Sequence, residues 1–123
     1  MTEWLFDRHG SPRLILDDDC VRNASGGVIA WISRDGLFSL TGRHIGWYED
    51  GVIYDRHNRS LGFTCDATGH LPSRPGTSGT PGMPGLSGRP GRPGFSGMSG
   101  RPGYGGWSDS DLTDYFKTAE HRI

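Results

Sequence analysis

The chain has 123 residues and a formal net charge of −1 at pH 7, so its overall charge predicts no electrostatic attraction to nucleic acid or to an anionic membrane. Its 21 glycines and 8 prolines are too many for an ordinary globular domain, and most lie after residue 70. The two cysteines, Cys20 and Cys65, are too few and too far apart for a disulfide framework or a cysteine metal motif. We therefore expect two small buried or half-buried thiols, no metal and no cofactor. The absence of a signal sequence and of a long apolar run favours a cytoplasmic protein.

Residues 4–67 contain four ungapped copies of a 16-residue repeat. The clearest column is a turn position, which reads Gly10, Gly26, Gly42 and Asn58. Three residues before it, each copy has Asp, Asn or Ser, in the order Asp7, Asn23, Ser39 and Asp55. This combination is typical of a type I turn followed by a left-handed residue, which is the three-residue β-hairpin loop with a glycine bulge. The sequence therefore predicts an all-β fold over residues 1–70, built from four β-hairpins around a pseudo-four-fold axis.

The expected hairpin register assigns the faces of the strands. It pairs residue 5 with Arg13 and places positions 5, 13 and 15 of each copy on the core face. That face is apolar except for Arg13, which we expect at a rim. The opposite face carries Phe6, Phe38 and Tyr54. Aromatic rings on a face that the core does not need predict that something lies against them.

Two segments, 39–47 and 54–63, resemble the small bacterial four-fold β-flower proteins. The aromatic ending, in which Tyr115-Phe116 follows Trp107-Ser108 in the sequence, also resembles that family. The resemblance implies four hairpin petals about a pseudo-four-fold axis, followed by a proline-rich tail. It implies no assigned activity. The tail of this chain departs from the family, because glycine triplets replace a more proline-dominated pattern.

Residues 71–106 form a tail in which every third residue from Gly76 to Gly106 is glycine. This is the collagen period, and it also suits a single polyproline II helix with three residues per turn. Three arrangements are open: a self-associated triple helix, single helices docked or bundled, and disorder. Large side chains follow most of these glycines, and docking would explain that edge of the tail. The candidate self-association residues are Gly82, Gly85, Gly88, Gly91, Gly94 and Gly97.

Residues 107–123 form an acidic, aromatic C-terminal segment. A short helix is expected over 108–122, with Ser108 or Ser110 as its N-cap. Its apolar stripe comprises Leu112, Tyr115, Phe116 and Ala119.

The remaining polar residues include two groups that could in principle carry catalysis or hold a metal. His9 and His57 lie three repeats apart, and Asp17, Asp18 and Asp19 are consecutive. Exposed turns explain both groups better than a histidine pair or a cation site does. No nucleophile, phosphate-loop or zinc spacing is present, so we expect no enzyme activity.

The favoured hypothesis is a structural protein that associates with itself through the tail as a homo-oligomer, most simply a trimer. The alternative is a recognition module that binds a peptide or a glycan. Its candidate residues are Phe6, Phe38, Tyr54, Arg43, Arg56 and Arg59. Neither hypothesis involves nucleic acid or a membrane.

Overall fold

The structure is a computed structural model that describes residues 2–121, of which 118–121 are described by their backbone alone. Eight antiparallel strands form a closed barrel in chain order, and a short helix follows near the C-terminus. The strands are β1 (Thr2–Phe6), β2 (Pro12–Asp17), β3 (Cys20–Arg22), β4 (Val28–Ser33), β5 (Gly36–Ser39), β6 (His44–Glu49), β7 (Val52–Tyr54) and β8 (Ser60–Phe63). The helix is α1 (Leu112–His121). Pairing of Phe6 with Phe63 joins β1 to β8 and closes the barrel.

The two ends of the barrel have different turns. At one end lie four longer turns, in which the Asp7 amide donates to Ser11 O and the Gly10 amide donates to Asp7 O, with the same pattern in the other three. The predicted left-handed residues have positive φ, from 61° at Asn58 to 96° at Gly26. At the other end are two-residue turns, where Asp18, Arg34 and Asp50 have φ near 50°.

The predicted register is wrong by one residue beyond each bulge. Leu5 pairs with Leu14, and Phe6 pairs with Pro12, so Arg13 is the extra residue of a bulge. The same shift occurs at the other three hairpins, after Val21, Leu37 and Ile53. As a result the column of Ile15, Trp31, Trp47 and Phe63 lies on the outer face and not in the barrel interior. Arg13 itself lies at the surface, as expected, with its side chain 51% exposed.

The barrel interior is filled by aliphatic side chains and closed by the helix. Leu5, Val21, Leu37 and Ile53 are fully buried in this cluster. Leu112, Tyr115 and Phe116 from α1 belong to the same cluster, so the helix supplies part of the core. The Tyr115 hydroxyl also donates to Ile45 O and accepts from the Arg56 amide. The helix therefore covers the end of the barrel that carries the longer turns, which we call the helix end.

The helix is shorter than predicted at its start. Asp111, not Ser108 or Ser110, is the cap, because its Oδ2 accepts from the amides of Thr113 and Asp114. Ser108 instead donates to the Asp55 carboxylate at 2.6 Å. Of the predicted helix, residue 122 lies outside the described residues.

Candidate functional site

Residues 74–106, which we call the strap, run around the outside of the barrel without helix or strand. Four backbone amides of the strap donate to the four longer turns. Ser78 donates to Gly10 O at 2.9 Å, Ser87 to Gly26 O at 3.3 Å, Ser96 to Gly42 O at 2.8 Å and Gly105 to Asn58 O at 3.1 Å. The donors are nine residues apart and the acceptors sixteen, so the strap meets every turn in the same way. Of the three arrangements open from the sequence, this is the docked one.

Three turns are approached so closely that only glycine fits. A Cβ atom built at Gly10, Gly26 or Gly42 would lie only 1.9, 2.2 or 2.1 Å from the carbonyl oxygen of Gly76, Gly85 or Gly94 respectively. Glycine is thus required by a close approach of backbones as well as by positive φ.

The fourth turn replaces this contact with side-chain bonds. Asn58 donates from Nδ2 to Pro102 O and accepts at Oδ1 from Arg101 Nε, both at 2.9 Å. The end of the strap then pairs with β8, through Ser60 N to Gly106 O and Ser108 N to Ser60 O.

Between the turns the strap crosses four cross-strand pairs on the outer face of the barrel. These pairs are Phe6–Phe63, Ile15–Arg22, Trp31–Phe38 and Trp47–Tyr54. A strap arginine lies over the aromatic rings at three of them: Arg74 over Phe63 at 5.8 Å, Arg92 over Trp31 at 5.3 Å, and Arg101 over Tyr54 at 5.0 Å. A guanidinium group over an aromatic ring is attracted by the negative face of that ring, so these cation–π contacts favour attachment of the strap to the barrel.

The second pair reverses the arrangement. Its cation, Arg22, belongs to the barrel and is 3% exposed, while Met83 holds the corresponding position of the strap. Arg22 pairs with Asp17 at 2.8 Å and donates to Gly26 O and Ser87 O, each at 2.7 Å. The Arg22 hydrogen bond, against the opposing effect of burial, holds the pKa of Asp17 below its usual range.

The aspartates at the first two-residue turn, between β2 and β3, also bind the strap. Arg89 contacts both Asp17 and Asp19, and Arg92 contacts Asp19 at 3.1 Å. Two of the three consecutive aspartates therefore pair with strap arginines.

Aromatic side chains of the strap cover the aromatic rings of the barrel. The Phe95 ring lies 4.5 Å from Phe38, and the Tyr104 ring lies 5.6 Å from Tyr54. Burial raises the pKa of Tyr54 to about 12, so its hydroxyl stays protonated and donates to His70 O.

The candidate interaction residues divide into two groups. The expectation that something lies against Phe6, Phe38 and Tyr54 is confirmed: they are 3%, 3% and 0% exposed, because the chain's own tail covers that face. They are therefore not the exposed rings that a recognition module would need. Arg43, Arg56 and Arg59 are exposed, and Arg59 pairs with Asp109 at 3.1 Å. His9 and His57 are exposed residues of the first and fourth turns.

The tail glycines face away from the barrel. All eleven, from Gly76 to Gly106 in steps of three, are exposed, and no described atom lies within 4 Å of a Cβ built on any of them. The candidate self-association residues are therefore accessible.

Sequence reasoning missed a nine-residue period within the tail, although the signal is in the sequence. Every third triplet begins with a long side chain followed by Pro-Gly. The aligned columns are Arg74, Met83, Arg92 and Arg101; Pro75, Pro84, Pro93 and Pro102; and Ser78, Ser87, Ser96 and Gly105. Nine residues of strap therefore correspond to one hairpin of the barrel.

Comparison with known protein families covers both the barrel and the strap. The model of the 4-fold beta flower protein family matches residues 3–116. The chain belongs to this family. The β-flower match spans the barrel, the strap and the first half of α1, so the strap is part of the family's unit. The family description names a fold and no reaction. No curated protein and no solved structure matches the chain.

Closure of the β-flower barrel brings together one group with the composition of a metal site. Ligand atoms of Glu3, Cys65 and Asp66 lie within 4.8 Å of one another. Cys65 is exposed, so the expectation of a buried or half-buried thiol is wrong there, whereas Cys20 is buried. Desolvation and the two carboxylates raise the pKa of the Cys65 thiol, which disfavours the thiolate that a metal requires. Within the described residues, no helix has the length and apolarity to cross a membrane.

Proposed function

We propose that this β-flower protein is a non-enzymatic structural protein that associates with other copies of itself through the outward glycine edge of its strap. The observation that carries the proposal is that the eleven glycines from Gly76 to Gly106 in steps of three are all exposed, with no described atom within 4 Å of a Cβ built on any of them. Within one chain, these positions have no steric reason to be glycine. A second backbone approaching along this edge would supply that reason, as at the axis of collagen.

The geometry also favours a polyproline-II-like strap. Two columns of the three-residue period differ in their surroundings: the Cβ side of each periodic glycine is open to solvent, while Arg92, Phe95 and Arg101, each one residue after a glycine, contact barrel rings. Three residues per turn produce such edges. Glycine edges of neighbouring helices can approach closely and exchange weak Cα–H···O contacts.

Docking changes how the copies would meet. A collagen triple helix would need the strap to leave the barrel and lose its four amide bonds to the turns. Contact between docked straps keeps them. The glycine period predicts a trimer, because three glycine edges share one axis in collagen.

Exposed apolar side chains lie on the same segment. Met83, Leu86, Met98 and Tyr104 are 40–48% exposed. Burying them between copies would add a hydrophobic contribution to contacts that glycine alone makes weak.

The test is the native mass of the full chain, measured by light scattering over a range of concentrations. We expect a multiple of the chain mass that Gly91→Ala reduces towards the monomer. Gly91→Ala has open space and no positive φ, so the folded monomer should be unchanged or stabilised by up to about 1 kcal/mol.

The matched control is Ser99→Ala, an exposed strap position on the Pro/Ser edge, which carries neither the glycines nor the apolar side chains, and it should leave the mass unaltered. A monomer at every concentration, or an assembly indifferent to Gly91→Ala, would contradict the proposal.

A further inference from the structure

A groove of about 300 Å³ opens at the helix end of the barrel, between α1 and the second and third longer turns. Its apolar walls are Leu14, Ile29, Leu40 and Phe116. Ile29 and Leu40 are only half-buried, whereas Leu14 and Phe116 are buried in the barrel core. The mouth of a β-barrel is a common place for a small-molecule site, and this groove continues the apolar interior outward.

The polar side chains of the groove are Asn23, Thr113 and Lys117. Asn23 Oδ1 already accepts from the amides of Ser25 and Gly27, at 3.0 and 2.9 Å. What the asparagine can offer a ligand is therefore its Nδ2 donor. Thr113 adds a hydroxyl and Lys117 an ammonium group.

The groove thus presents hydrogen-bond donors beside an apolar wall. Among the described residues, no carboxylate side chain lines it. Because Lys117 carries a positive charge, a ligand with a negatively charged acceptor gains charge-assisted hydrogen bonds here, which are stronger than neutral ones.

We propose that this groove binds a medium-chain monocarboxylate. The hydrocarbon chain lies against Ile29, Leu40 and Phe116, and the carboxylate meets the donors of Asn23, Thr113 and Lys117. The groove is lined by strands and turns of the barrel and by the helix, and not by the strap, so this inference is independent of self-association.

The test is calorimetric titration of the full-length protein with hexanoate, octanoate and decanoate, each below its micelle concentration. Affinity should rise about fourfold for each added methylene until the groove is filled, because each buried methylene contributes a similar hydrophobic increment. 1-Octanol, which has the same chain without the charge, should bind more weakly than octanoate.

Two variants examine the two halves of the groove. Lys117→Gln should weaken octanoate about fivefold and leave 1-octanol unchanged, since only the carboxylate uses the ammonium group. Ile29→Phe should weaken all the ligands by filling the groove. Each variant is used only if its thermal unfolding remains cooperative. The matched control is Arg34→Gln, an equal loss of charge in an exposed turn at the other end of the barrel, which should have no effect.

Several results would overturn the proposal. Absence of decanoate binding would do so, as would equal affinity for octanoate and 1-octanol, which indicates adsorption to apolar surface. Equal weakening by Arg34→Gln and Lys117→Gln would show a general charge effect. A change in native mass on adding octanoate would show that another copy of the chain occupies the groove.

Discussion

The carbonyl oxygen of Gly94 lies 2.1 Å from the position that a Cβ atom would take at Gly42. The two glycines come from different parts of the molecule, one from the strap and one from the third longer turn. Gly42 also has φ of 90°, so glycine is favoured there for two separate reasons. These reasons can be separated by experiment, because Asn tolerates positive φ but still has a Cβ.

We expect Gly42→Asn to destabilise the full chain by about 1–3 kcal/mol, the usual range for overpacking. The turn itself should tolerate asparagine, as the fourth turn does at Asn58 with φ of 61°. The loss therefore comes from the strap, which must move away. The measurement is urea unfolding, with Ala24→Asn in the exposed part of the second turn as control. Equal effects of the two changes would show that the strap does not press on Gly42.

Asn58→Gly probes the fourth turn in the opposite direction. Turn chemistry alone predicts a neutral or mildly stabilising change, because glycine prefers positive φ. The structure adds two bonds, from Asn58 to Pro102 O and from Arg101 to Asn58, which glycine cannot make. We expect a net loss of about 1 kcal/mol in the free energy of unfolding. Unchanged or increased stability would indicate that these bonds to the strap contribute nothing.

The two expectations for Asn58→Gly differ because the sequence predicts the turn but not the strap that binds it. The turns and the eight strands follow from local chemistry, because Asp7 to Gly10 contains all the information for its own turn. The faces do not, because the bulge that moves Arg13 out of register changes every later pair by one residue. The nine-residue spacing of the strap has meaning only beside a barrel with four turns, and the groove lined by Ile29 and Lys117 exists only once α1 is placed.

Acid should weaken the attachment of the strap through Asp17. Its pKa is lowered in the folded chain, first by the hydrogen bond from Arg22, so the folded state favours the charged form. The contribution of Asp17 is then fully present above its unfolded pKa of about 3.9 and is lost as pH falls through the lower folded pKa.

Asp17→Asn should remove this part of the pH dependence of unfolding. It should also cost about 3 kcal/mol at pH 7, because Arg22 remains buried without its anion. Asp35→Asn, in an exposed turn, is the control. Parallel pH profiles for the wild type and Asp17→Asn would exclude this role.

Phe95→Ala tests the ring contact between strap and barrel. Phe95 is half-buried and its ring lies 4.5 Å from Phe38, so its loss should cost about 1–2 kcal/mol. Thr80→Ala, at an exposed strap position, is the control and should change little. The free energy of unfolding is measured by tryptophan fluorescence. Trp31 is a suitable reporter because Arg92 lies over both the Trp31 ring and the Phe95 ring. Unchanged stability in Phe95→Ala would mean that the strap is held by its backbone bonds alone.

The last prediction concerns whether residues 1–70 are an independent domain. The position of the four repeats predicts that they fold alone. The structure predicts the opposite, because Leu112, Tyr115 and Phe116 are part of the barrel core. Without the strap, the buried outer rings such as Phe38 and Tyr54 would also face water.

A protease site inserted between the exposed residues Pro72 and Ser73 separates the two parts after the whole chain has folded. We expect the two pieces to stay together after cleavage and to elute as one particle. The strap is held to the barrel by its four amide bonds to the turns and by the helix, so the two pieces stay together when any single contact breaks. Unfolding of the cleaved protein should then depend on its concentration, because it is also a dissociation. The same cleavage in Phe95→Ala should give a weaker complex. Release of a barrel fragment that keeps its near-ultraviolet circular dichroism and unfolds cooperatively would show that the first seventy residues fold without the strap.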